Sequence, residues 1–167
     1  MTSNVLECKP ANYASVAMGA ADIGGAFFIK GALAVTSTSN TIKYCYNSDI
    51  GGAFHIENSK LTDNLSVMRD NTAVFGGAIS CKSCTLLSLT STEFYHNAAF
   101  TTAVTTGGLG GVIYLNSPTT VTMNKIKVID GYAMNLGGFF YAEGTSSSPI
   151  ATFTIDNTPY SVHLTLE

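Results

Sequence analysis

The sequence predicts an all-β fold in which a repeated unit winds into a single-stranded parallel solenoid, and three features of the chain predict it. An eleven-residue phrase is written five times, as "DIGGAFFIKGA", "DIGGAFHIENS", "VFGGAISCKSC", "GLGGVIYLNSP" and "NLGGFFYAEGT". Its first glycines, Gly24, Gly51, Gly76, Gly110 and Gly137, are spaced by 27, 25, 34 and 27 residues, a period that belongs to stacked repeat architectures. Inside each phrase the apolar residues alternate with period two, the pattern of a strand with one face buried.

The whole chain reads as one domain of 167 residues: a cap or first coil over 1–20, repeat coils over 21–145, and a closing coil or cap strand over 146–167. Three positions beyond the first glycine stand Phe27, Phe54, Ile79, Ile113 and Phe140, and two further on Ile29, Ile56, Cys81, Leu115 and Ala142. Both columns are assigned to the interior. The glycine pair allows a tight corner with positive φ. After the strand comes turn chemistry, "KGA", "ENS", "KSC", "NSP" and "EGT". A second apolar stretch follows and ends in "YCYN", "MRDN", "FYHN" or "VIDG". Like residues recur at like positions, as they do when each residue lies about 4.8 Å above its counterpart. Asn47, Asn71 and Asn97 are then expected to form an amide ladder along the stack. The long spacing contains "TTAVTTGGL", expected as an exposed loop. The tail "SVHLTLE" alternates like another strand, and its uncapped edge makes end-to-end self-association an expected mode of partnership.

Composition narrows the function. Charged residues are 11% of the chain and the formal net charge is −3, which opposes nucleic-acid binding. No apolar run is long enough for a transmembrane helix, so no membrane insertion is expected. The start "MTSNVLECKP" lacks the pattern of a signal peptide, and a cytosolic protein or a processed form or fragment are both open.

The literal "GGAI" at 76–79 and "FYHN" at 94–97, with the looser "GGAF", "GGVI", "GGFF", "YCYN" and "MRDN", resemble the repeats of polymorphic outer-membrane proteins, surface autotransporters of intracellular bacteria. The resemblance covers roughly residues 20 to 145 and concerns the repeats alone. It implies a right-handed parallel β-helix, here of about five to six coils, working in adhesion or surface coating. The expected role is therefore a non-enzymatic extracellular or cell-surface structural module, a fibre subunit or adhesin segment. A carbohydrate-binding or carbohydrate-active β-helix protein is the alternative.

Candidate chemistry is sparse. Cys81 and Cys84 span a turn as "CKSC", either bridged or as reduced thiols with Cys81 in the core, and Cys8 with Cys45 is a second candidate bridge. Asp22 and Asp49 share a column and would lie about 5 Å apart, near the spacing of a retaining glycosidase pair. Asp before glycine is also an ordinary turn residue. His55, His96 and His163 show no ligand spacing, so neither a metal nor a cofactor is expected. "GGLGG" at 107–111 lacks the Lys-Ser/Thr of a phosphate cradle. The column Phe28, His55, Ser80, Tyr114 and Tyr141 points outward and offers a binding face to a glycan or partner protein, unless a loop or the tail covers it. Along the next outward column Lys30, Glu57 and Lys82 alternate in sign, which favours neighbours that attract.

Overall fold

The computed structural model describes residues 4–8, 25–46, 49–101, 107–144 and 152–156. The described residues form strands and turns with no helix, and every strand pairing is parallel. Four sheets share them. The Gly-Gly sheet holds Phe27–Lys30, Phe54–Glu57, Ile79–Lys82, Ile113–Asn116 and Phe140–Glu143 in chain order. The middle sheet follows the same order with Val35–Thr38, Lys60–Asn64, Leu86–Thr90, Thr120–Asn124 and Thr152–Asp156. In the third sheet Val5–Glu7 is followed by Thr41–Lys43, Val67–Arg69, Glu93–Tyr95 and Lys127–Ile129. The short fourth sheet is Thr72–Ala73, Ala98–Ala99 and Tyr132–Ala133.

The register repeats the sequence alignment. Phe27 lies opposite Phe54, Phe54 opposite Ile79, Ile79 opposite Ile113 and Ile113 opposite Phe140. Each repeat is thus one layer placed on the next. The insertion that stretches one spacing leaves this register untouched, because Phe75 still bridges Leu109 and Leu109 bridges Leu136. Its residues 102–106 lie outside the described residues, as do Gly24, Asn47, Asp22, His163 and the tail 157–167.

Inward positions from the sheets meet in one core of Ile42, Phe54, Ile56, Leu61, Met68, Ile79, Leu87, Leu89, Phe94, Ile113, Leu115, Val121 and Met123, all essentially without solvent contact. Alternation therefore sorts side chains as expected, with one exception that the pattern hides. Asp63 occupies an inward slot between Leu61 and the corner and is completely buried. Its carboxylate accepts hydrogen bonds from Ser66 Oγ at 2.6 Å and Thr92 Oγ1 at 2.7 Å. The hydroxyls satisfy the oxygens that burial would otherwise leave bare.

Corners keep the backbone bonded. Gly51 N–H donates to Phe75 O at 2.8 Å, Ser83 N–H to Asn116 O at 2.8 Å and Leu65 N–H to Thr90 O at 2.9 Å, so the hydrogen bonds between layers continue around the bends. Each bend turns on one residue of positive φ. Gly51, Gly76, Gly110 and Gly137 serve one corner; the columns Asn58–Ser83–Ser117, Ser39–Leu65–Ser91–Lys125 and Tyr44–Asp70–His96–Asp130 serve the other three. The two glycines of each pair have different causes. A Cβ on Gly76 would strike the carbonyl of Ile79 in its own layer, whereas one on Gly77 would strike the carbonyl of Gly111 in the next. The first glycine makes the turn; the second lets the layers approach.

The amide ladder forms with a corrected first rung. Asn71 and Asn97 are fully buried, and Asn97 Oδ1 accepts from both the backbone N–H (3.1 Å) and Nδ2 (3.0 Å) of Asn71. Asn71 Oδ1 in turn accepts from Cys45 N–H at 3.0 Å. The register pairs Ile42 with Met68 and Tyr46 with Thr72, so the rung below Asn71 is Cys45, two residues before the expected Asn47. "IKYC", rather than "YCYN", is the first-layer match to "MRDN".

Candidate functional site

The outward column of the Gly-Gly sheet, for which the sequence left both a binding face and a covered one open, is exposed at Phe28 and covered further along. Phe28 is exposed at 45%, but His55 retains 2% of its surface and Ser80 none, while Tyr114 and Tyr141 are half-buried. The reason lies one corner back. Ile50 and Phe75, each just before a glycine pair, stand beside the column and wall it on one side. Phe75 leans on Tyr114 with ring centroids 5.1 Å apart and tilted by 51°. Lys82 and Asn116, two positions further along the strands, complete the lining.

The column is a stack of rings with one member missing. Phe28 and His55 stack at 5.5 Å and 6°, and Tyr114 and Tyr141 at 6.1 Å and 3°. Between these pairs, in register with both His55 and Tyr114, the chain places Ser80. Where the other layers put a ring, this layer puts a hydroxymethyl group, and a cavity of 180 Å³ lies beside it. His55 Nδ1 and Ser80 Oγ lie in this region buried and without a hydrogen-bond partner. Buried polar atoms without partners are rare in native proteins because each costs a desolvation penalty.

Electrostatics set a neutral imidazole beside the charged groups of the next column. Burial, opposed by Glu57 and assisted by Lys82 and Lys30, lowers the His55 pKa, so its imidazole is neutral at pH 7. Burial, opposed by the hydrogen bond with Asn116 and assisted by that to Glu143, pushes the Tyr114 phenol up to about 12. That phenol donates to Glu143 Oε1 at 2.5 Å, and Asn116 Nδ2 donates to the same oxygen at 2.6 Å. The charge alternation forms one pair: Lys30 Nζ lies 3.2 Å from Glu57 and lowers that carboxyl's pKa through their hydrogen bond. Lys82, in register beside Glu57 on the other side, makes no close ion pair among the described residues but its charge also helps to lower the Glu57 pKa.

The other candidates fall elsewhere. Cys81 is bridged to Cys84 and Cys8 to Cys45, with Cα–Cα distances of 5.7 and 4.7 Å. Asp49 acts at a bend, its carbonyl accepting from Val74 and Phe75 N–H, while its column partner Asp22 lies outside the described residues. His96 stands in a corner column between Asp70 (3.5 Å) and Asp130 (3.3 Å). The sequence columns held the signal for the cavity, since Ser80 is the one small residue in the ring column. What they did not show is that Ile50 and Phe75 would wall it.

Comparison of the chain with protein-family models, curated proteins and solved structures gives no match.

Proposed function

We propose that the four parallel sheets are the faces of a single-stranded right-handed parallel β-helix, and that the chain is a non-enzymatic extracellular or cell-surface structural module, a fibre subunit or adhesin segment. One observation carries the reading: every sheet runs in layer order with the same register, so the chain is a stack held by backbone ladders. A stack of this kind offers a strand edge at either end wherever no cap covers it, and such an edge suits continuation into a neighbouring domain or a second copy. The two disulfides add support for an oxidising compartment, where such bridges persist. So does the resemblance to polymorphic outer-membrane protein repeats.

Electron microscopy of the purified, oxidised chain tests the assembly role; filaments with an axial repeat of about 25–30 Å, the height of five to six layers, are expected. The non-enzymatic role is tested by incubating the chain with acidic and neutral polysaccharides. Product formation that disappears in Asp49→Asn would replace the structural reading with an enzymatic one. The cavity beside the half-buried Tyr114 favours a second reading, a scaffold that binds carbohydrate without turning it over.

A further inference from the structure

We infer that the outward face of the middle sheet binds ice, through a grid of hydroxyl and methyl groups that fits the oxygen lattice of the crystal surface. Only the strand register is needed for this, not assembly of the chain.

The grid begins in the sequence. The five middle strands carry "TST", "TDN", "SLT", "TMN" and "TID" at 36–38, 62–64, 88–90, 122–124 and 154–156. The central residue of each triplet points inward, with Ser37, Asp63, Leu89 and Met123 buried, and the outer two point to solvent. The register sets Thr36 beside Thr62, Thr62 beside Ser88, Ser88 beside Thr122 and Thr122 beside Thr154, one hydroxyl in each of five layers. Thr38, Asn64, Thr90 and Asn124 form a second column alongside. Neighbours within a column are about 4.8 Å apart, and the two columns are separated by two residues of strand, about 6.7 Å. The prism surface of hexagonal ice repeats its oxygens in two perpendicular directions, one spacing slightly shorter than the first of these and the other slightly longer than the second. Water held in rows between the columns follows nearly the repeat of the crystal.

Three further observations select ice over a macromolecule. The hydroxyls of the centre column are open to water: Thr36 and Thr154 are exposed, and Thr62, Ser88 and Thr122 are half-buried. None of the five bonds another side chain among the described residues. Each oxygen can donate and accept, and the branched threonine side chain is stiff about χ1, which holds the oxygens in their rows. The face is also nearly free of charge. Lys60 flanks the columns and Asp156 ends the second, whereas the outward face of the third sheet carries Glu7, Lys43, Arg69, Glu93 and Lys127. A charged group keeps its own hydration shell and breaks a water lattice; a neutral grid leaves it whole. Finally, neither column contains an aromatic or arginine side chain, the groups that anchor protein partners or stack on sugar rings.

The test is freezing of the oxidised full chain in a nanolitre osmometer, with the melting and freezing points of a single ice crystal read separately. The freezing point is expected to fall below the melting point, with faceted growth of the crystal, while an albumin control at the same concentration shows neither. Thr62→Lys and Thr122→Lys, each placing a charge in the centre column, should lose most of this gap while the chain's own thermal unfolding stays that of the parent. Thr41→Lys, the same change on the outward face of the third sheet, should keep the gap. Ser88→Thr makes the centre column threonine throughout and should widen it. No gap and no faceting with the parent chain would overturn the inference. A parent-sized gap in folded Thr62→Lys and Thr122→Lys chains would place the ice contact on another face and overturn the site, as would an equal loss in Thr41→Lys.

Discussion

Leu65 shows most clearly what single residues contribute to this stack. It turns a corner with φ 61° although its side chain is half exposed and branched. A left-handed conformation costs a non-glycine residue roughly 1–2 kcal/mol, while glycine's extra unfolded-state freedom costs about 0.5–1 kcal/mol. The first term is the larger, so Leu65→Gly is expected to stabilise the chain by up to about 1 kcal/mol, measured by urea unfolding. The opposite sign holds at Gly76, where the corner also lacks room for a Cβ. His55 makes the second residue-scale prediction. Burial lowers its pKa, so the unfolded chain binds a proton that the folded chain refuses. Stability must then fall as the pH drops below about 6.5, with a slope approaching 1.4 kcal/mol per pH unit for this one proton. Thermal melts on either side of that pH should show the loss in the parent, and a His55→Phe chain, which keeps a ring on Phe28, should lack this contribution.

Between elements, the amide ladder carries more than any outer contact. Asn97 accepts two hydrogen bonds from Asn71 and donates one to Met68 O at 2.9 Å, all within the buried stack. Removing the side chain takes the partner from the Asn71 N–H and the Met68 carbonyl, each costing about 1–3 kcal/mol, while Asn71 Nδ2 keeps its bond to Ile42 O. Asn97→Ala is expected to lose at least about 2 kcal/mol, while Asn124→Ala, on the outer face of the middle sheet, should change stability by no more than about 0.5 kcal/mol. Equal losses in the two chains would show that the ladder is ornamental. Much of this scale was legible in the sequence: the Gly-Gly columns give the register, and "MRDN" with "FYHN" gives two rungs. Asn47 misled because "YCYN" ends in the same letter as "MRDN", whereas the pairing of Ile42 with Met68 and of Tyr46 with Thr72 puts Cys45 in the slot. The corner at Asn58, Ser83 and Ser117 was legible as turn chemistry in "ENS", "KSC" and "NSP", whereas the one at Ser39, Leu65, Ser91 and Lys125 could not be read, since nothing in a Ser, Leu or Lys announces a positive φ. Asp63 alternates with Leu61 and could have been flagged as inward. Its partners Ser66 and Thr92 come from different layers and needed the fold to find them.

For the molecule as a whole, the layers are coupled to their neighbours and the first layer is the weak point. Among the described residues Val5–Glu7 is exposed along its length and pairs with Thr41–Lys43 alone. Its hold on the stack is reinforced by the Lys43–Glu7 ion pair at 3.1 Å, a contact worth little where both groups meet solvent, and by the Cys8–Cys45 bridge. That bridge closes 37 residues, whereas Cys81–Cys84 closes 3. By loop-closure entropy the long bridge is worth about 4 kcal/mol and the short one about 2 kcal/mol. Cys8→Ser should therefore lose more stability than Cys84→Ser in urea unfolding under oxidising conditions. It should also expose Val5–Glu7 selectively, seen as faster amide exchange there while Phe54–Glu57 and Ile79–Lys82 remain protected. The reverse order, with Cys84→Ser the more damaging, would mean that packing of the buried third layer outweighs chain entropy. The stack would then be held from its centre rather than clamped at its first layer.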